Sequence, residues 1–143
     1  MKSEEQREIL DITSLSELED PANSGKIIRI TKSFNLEGET LSIADGIIIR
    51  PAGGIFLNGT FSGEGFTIST ETRNRVFASD LKFESRYLKT FYPSWYGALA
   101  DGVTDDSEAL VNSIKVAEKI QLRGSKTYPV SYTHLTLPTT PYV

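Results

Sequence analysis

Apolar residues fall in short clusters along this 143-residue chain, and the clusters change character at Lys26. Before it, "SEEQREILDITSLSELED" sets Ile9, Leu10, Ile12, Leu15 and Leu18 at roughly helical spacing on a polar background, which predicts a short polar helix and a turn. Pro21, Asn23, Ser24 and Gly25 break it. From Lys26 the runs "KIIRIT", "TLSI", "GIIIR", "GIFLNGTF", "FTIST" and "VFASDLKF" are rich in β-branched and aromatic residues and too short for helices. They predict strands, punctuated by glycine at 38, 46, 53, 54, 59, 63 and 65. After Asp105 the period changes again. Leu110, Ile114, Ala117 and Ile120 line one side, with Glu108, Asn112, Lys115 and Lys119 opposite, which predicts an α-helix over about 105–120.

Short glycine-divided strands suit two architectures, an antiparallel sandwich or the stacked rungs of a solenoid. Asn58-Gly59 is the one strong hairpin signal and Asp45-Gly46 a weaker second. Asn58 fits a hairpin or an asparagine stack inside a solenoid turn, and this pattern leaves both open. A solenoid needs its first rung covered, a role open to the amphipathic N-terminal segment.

Composition narrows the chemistry. The last fourteen residues, "VSYTHLTLPTTPYV", carry no charge and neither period. They resemble a translated sequencing adapter: GTC TCT TAT ACA CAT CTG ACG CTG CCG ACG reads as Val130 to Thr139, and a terminal GTGTAG would supply Val143 and a stop. Residues 130–143 are therefore set aside as non-native, and residues 1–129 are expected to be the N-terminal part of a longer protein. The only histidine, His134, lies in that tail, and the chain has no cysteine. Histidine bases, thiol nucleophiles and zinc clusters are thus not expected in the native part. The net charge of −4 is spread in mixed sign, without the basic stripe that nucleic acid requires. No apolar run approaches the roughly 18 residues that span a bilayer. The opening "MKSEEQREIL" is too acidic and polar for a secretory signal.

The acidic stretch "YGALADGVTDDSEAL", residues 96–110, poses the main question of chemistry. Asp105 stands where the helix should start and Glu108 three places on, a capping-box spacing in which each side chain accepts from an otherwise unpaired backbone N–H. Asp106 adds charge favoured by the helix dipole, and Gly102 permits the preceding bend. A calcium loop would need acids at alternate positions, a central glycine and a distal glutamate, which Asp101, Asp105, Asp106 and Glu108 do not supply. Carboxylates held ionised by N–H donors also make poor general acids.

These residues reach a family. "YPSWYGALADGVTDDSEAL" resembles the "FGAkGDGvtDDt.Al" motif of the pectate-lyase-like right-handed parallel β-helix proteins, which include polygalacturonase- and rhamnogalacturonase-type enzymes and phage tail spikes. Tyr96-Gly97-Ala98, Asp101-Gly102-Val103-Thr104-Asp105-Asp106 and Ala109-Leu110 coincide with it, and Leu99-Ala100 departs from it. "GSKTYPV" is similar to the turn that follows the family's first helix, and "GGIFLNGTFSGEGFTI" to its preliminary rungs. The resemblance implies a mainly β chain: the start of a right-handed, single-stranded parallel β-helix with preliminary rungs and a capping α-helix at about 105–120. Gly97, Asp101, Gly102, Asp105, Asp106 and Glu108 would form a structural capping motif over the strand edge, with no catalytic, cofactor or metal residue among them.

The implied organisation is a polar helical lead over 1–25, preliminary rungs over 26–90, linker, capping motif and helix over 91–129, and the tail. The longer protein is expected to bind or degrade a polysaccharide, as hydrolase or as lyase, with Ca2+ only in the lyase case. A homotrimer, in a virion or outside the cell, is compatible with the resemblance, and the N-terminal part by itself is expected to be inactive. A non-catalytic phage tail or adhesion fibre is the alternative, and an unrelated β-sandwich would show antiparallel pairing between 41 and 68. Trp95, Tyr92, Phe91 and Tyr96 are read as core packing rather than a sugar platform, and Lys82, Arg86 and Lys89 near Glu84 as a solvated edge.

Overall fold

Every strand pairing among the described residues is parallel. The computed structural model describes residues 7–72 and 74–122. In chain order these form β1 (Ile9–Asp11), α1 (Ser16–Glu19), β2 (Ile27–Ile30), β3 (Phe34–Asn35), β4 (Thr40–Ser42), β5 (Ile48–Pro51), β6 (Phe56–Leu57), β7 (Gly59–Ser62), β8 (Thr67–Ile68), β9 (Leu81–Phe83), β10 (Tyr87–Phe91), α2 (Ser107–Val116) and β11 (Ala117–Ile120). Short 3-10 turns occupy Pro21–Asn23 and Pro93–Tyr96.

Three columns run through the stack: β1-β2-β5-β8, β3-β6 extended by a bridge from Phe56 to Phe77, and β4-β7-β9. Partners within them lie 18 to 22 residues apart in sequence. A chain that visits three columns and returns one layer further on is a β-solenoid, here of about four turns.

Like stacks on like. Ile27 pairs Ile48, Ile28 pairs Ile49, Phe34 pairs Phe56, Thr40 pairs Thr60 and Ser42 pairs Ser62. Inward positions therefore make continuous apolar files, and Phe56, Phe61, Phe77, Phe91 and Trp95 are fully buried. Edge-on contacts knit them: Phe56 to Phe61 at 5.0 Å, Phe61 to Phe77 at 5.6 Å and Phe77 to Phe83 at 5.3 Å between ring centres. Each such side chain removed from water contributes about 1.5–3 kcal/mol. Stacking also superposes like charges, since Arg29 sits in register with Arg50. Acids offset this: Asp11 meets Arg29 at 2.6 Å and Glu71 meets Arg50 at 2.7 Å.

Two columns end on a tyrosine. The Ile68 amide donates to the Tyr87 hydroxyl at 2.9 Å, and the Tyr96 hydroxyl donates to the Leu81 carbonyl. Where no further strand among the described residues pairs at these points, a phenol takes its place. Burial raises both phenols above their ordinary titration range, opposed at Tyr87 by the Ile68 amide.

The strands expected from 26 onward are present, and the sandwich alternative is excluded by the parallel pairing within 41–68. Three expectations need correction. Residues 9–11, read as part of a helix, are a strand in register with β2, and only Ser16–Glu19 is helical in that lead. Ile9, Leu10 and Ile12 fit either period, and pairing to β2 decides it. The helix expected to reach 120 stops at Val116, because Ala117–Ile120 turns extended and pairs with β10. The choice left open at Asn58 falls to the solenoid turn, where Asn58-Gly59 joins β6 to β7 and the Asn58 amide meets Asn35; Asp45-Gly46 carries the chain from β4 to β5 in the next layer, and neither pair closes a hairpin. The third, the helix cap, belongs to the acidic turn.

Candidate functional site

The acidic turn leaves the solenoid from a buried anchor. Pro93–Tyr96 packs Trp95 against Phe91 at 4.8 Å and edge-on to Tyr92 at 5.2 Å, with Trp95 fully buried. This is core packing, as the apolar reading of the cluster expects. Gly97 then takes φ +98 and its amide bonds to the Ser94 carbonyl at 2.9 Å, ending the 3-10 turn in a conformation that L side chains rarely adopt. A Cβ there would also press on the Arg75 guanidinium at 3.2 Å.

Each carboxylate has its own task. Asp101 is exposed; its Oδ1 accepts from the amides of Thr104 at 2.8 Å and Val103 at 2.9 Å, and its Oδ2 from the Thr104 hydroxyl at 2.9 Å. The Thr104 and Val103 amides and the Thr104 hydroxyl hold it below the usual carboxylate range. Gly102, at φ +79, lets the chain fold around it. Asp105 Oδ1 accepts from the amide of Ser107 at 2.9 Å and from the Ser107 hydroxyl. Asp106 is buried, and its two oxygens accept from the amides of Leu99 and Ala100, each at 3.0 Å.

Asp106, not Asp105, is therefore the residue at the helix start, and its side chain makes no capping bond. It reaches back across the turn and clamps the loop that precedes it. Ala100 at φ +53 belongs to the same clamp, which aims two successive amides at one carboxylate. Glu108 is exposed and does not complete a capping box. Local spacing points to a cap; the pairing with residues six and seven positions upstream prevails because the buried Asp106 carboxylate makes two charge-assisted bonds, one of them fully buried.

Of the expected apolar file, Leu110 and Ala117 are buried while Ile114 and Ile120 are half-buried, and helix α2 also buries Ser107, Ala109, Ser113 and Val116. It packs on the Pro93–Tyr96 turn and on β11, so it is the crossover of a β10–α2–β11 unit that follows the stacked turns. Arg86 fastens its far end, donating to the carbonyls of Ala117 at 2.6 Å, Ile114 at 3.4 Å and Lys115 at 3.5 Å. Lys89 donates to the Phe66 carbonyl at 3.1 Å. Lys82, Arg86 and Lys89 are all exposed, as a solvated edge expects, and Arg86 and Lys89 also hold backbone in place. The chain pattern does not show these two bonds, because the carbonyls that Arg86 and Lys89 meet are remote in sequence.

A groove of about 420 Å³ on the outer side of α2 is lined by Asp105, Ser107, Glu108, Val111, Asn112 and Lys115. Among the described residues no group of three or more His, Cys, Asp or Glu is placed to hold a metal ion, and no helix is long and apolar enough to cross a membrane. "GSKTYPV", His134 and the segment 130–143 lie outside the described residues. The class of molecule is a parallel β-solenoid carrying an acidic turn and a crossover helix. Comparison with protein-family models, curated proteins and solved structures finds no match to the chain.

Proposed function

We propose that the chain is the N-terminal part of a pectate-lyase-like parallel β-helix protein that binds or degrades a polysaccharide. One observation carries this reading: a parallel solenoid lies directly upstream of the sequence "YGALADGVTDDSEAL", and that sequence forms a buried-carboxylate turn and a crossover helix. In this reading the acids are architectural and the chemistry belongs to rungs further along the chain. There, paired carboxylates would serve a hydrolase, or a base with Ca2+ a lyase.

A second reading, a non-catalytic tail or adhesion fibre, is favoured by the faces of the described turns. Thr40 over Thr60 and Ser42 over Ser62, with Asn58 hydrogen-bonded to Asn35, offer hydroxyls and amides from adjacent layers, which suit binding along a glycan. The test is to read the source DNA past codon 129, express the continuous frame and incubate it with acidic polysaccharides, with and without Ca2+. New reducing ends or unsaturated uronates support the enzyme, and retention on the polysaccharide without product supports the fibre. Neither binding nor cleavage overturns both. The 143-residue chain alone is expected to release no product.

A further inference from the structure

We infer that Asn58 is a site of spontaneous covalent modification, converted to aspartate and isoaspartate through attack by the Gly59 amide. The fold forces this labile pair of residues together. Asn58 alone separates β6 from β7, and it turns the corner at φ +54, a conformation that asparagine tolerates better than most residues. Gly59 must lack a side chain, since a Cβ there would come within 2.9 Å of the Glu39 carbonyl oxygen and collide with Leu36. With no side chain of its own, Gly59 hinders attack by its amide nitrogen less than any other residue would, and asparagine is among the thermolabile residues.

The corner is exposed, so water reaches it. Two contacts guard it: the Asn58 side-chain amide donates to Asn35 Oδ1 at 3.1 Å, and the Asn58 main-chain amide donates to Asp80 Oδ1 at 2.8 Å. When the corner opens, the Gly59 nitrogen, losing its proton to solvent, bonds to Asn58 Cγ. The Cγ–Nδ2 bond breaks and ammonia leaves. Water then opens the five-membered imide at either carbonyl, giving aspartate from one and isoaspartate from the other; no oxidant or reductant takes part. Aspartate removes the donor to Asn35 and sets a second carboxylate beside Asp80. Isoaspartate also lengthens the main chain by one carbon at a one-residue corner, and so disturbs the registers of Phe56 with Phe34 and of Thr60 with Thr40.

Asn35 is the internal control, since it is exposed in the same stack but is followed by Leu36. The 143-residue chain is held at mildly alkaline pH in ¹⁸O-water, sampled over time, digested and mapped by mass spectrometry. The expected result is ¹⁸O-labelled acid at position 58, as two separable products, accumulating several-fold faster than at position 35. Asn35→Ala, which removes the guarding acceptor, is expected to speed conversion at 58 further. Retention of Asn58 at the pace of Asn35, or a single unbranched product, overturns the inference.

Discussion

Replacing Tyr96 by Phe removes one oxygen and leaves the ring, so it isolates what the phenol contributes at the end of a column. The ring keeps its contacts with Phe77 at 5.4 Å and Phe91 at 5.8 Å. What is lost is the donor to the Leu81 carbonyl, in a place where Tyr96 is 4% and Leu81 1% exposed. An acceptor stranded there costs about 1–3 kcal/mol. For a body of this size that is a fall in Tm of roughly 4–12 °C. The pH dependence gives a second readout. Burial raises the Tyr96 phenol above its ordinary value near 10, so the neutral form belongs to the fold. The corresponding stability is fully present below about pH 10 and is lost as pH rises towards the folded-state value. Denaturant melts of Tyr96→Phe should therefore show lower stability at neutral pH and a shallower decline above about pH 10 than the parent. A variant as stable as the parent at neutral pH, with the same alkaline slope, would refute the argument that a phenol substitutes for strand backbone.

Two further outcomes follow from the acidic turn. Asp106→Ala is expected to cost about 2–4 kcal/mol in urea melts, because the buried Ala100 amide and the part-buried Leu99 amide lose a charged acceptor, and Asp106→Asn to recover part of that through its remaining carbonyl oxygen. Equal losses in both would contradict the clamp. Asp101, held low by the Thr104 and Val103 amides, contributes stability that is present above its ordinary value near 3.8 and lost as pH falls through the lowered one. Asp101→Asn should flatten the acid limb of the stability profile below about pH 4, as followed by circular dichroism.

How far these features are legible in the sequence varies with the range of the interaction that makes them. The runs at "KIIRIT", "GIIIR" and "FTIST" announce strands through their β-branched content, and each contains one. The change to a 3.6 period after Asp105 likewise announces α2. The register of Phe34 on Phe56 and Phe77 is a property of the three runs together, and no single run displays it. At the chain's two ambiguous places, Ile9–Asp11 and Ala117–Ile120, apolar spacing fits helix and strand alike, and the neighbouring strand supplies the amides that decide. The same holds at the site. Asp101 and Asp105 serve amides two or three residues away, which spacing can suggest. Asp106 instead turns inward to Leu99 and Ala100, where a reading built on helix caps does not look.

The stacking itself is open to a direct check, since the chain contains no cysteine to interfere. Thr40 and Thr60 are register partners on adjacent parallel strands. Neighbouring strands lie about 4.8 Å apart, and a disulfide accepts Cα separations of roughly 4.4–6.8 Å. Oxidising the double variant Thr40→Cys, Thr60→Cys and mapping the linked peptides should give near-complete cross-linking, with little in a Thr40→Cys, Ile68→Cys control whose members lie in different columns. A control that links while the 40/60 pair stays reduced would mean that these strands do not stack in parallel turns, and the account would fail with them.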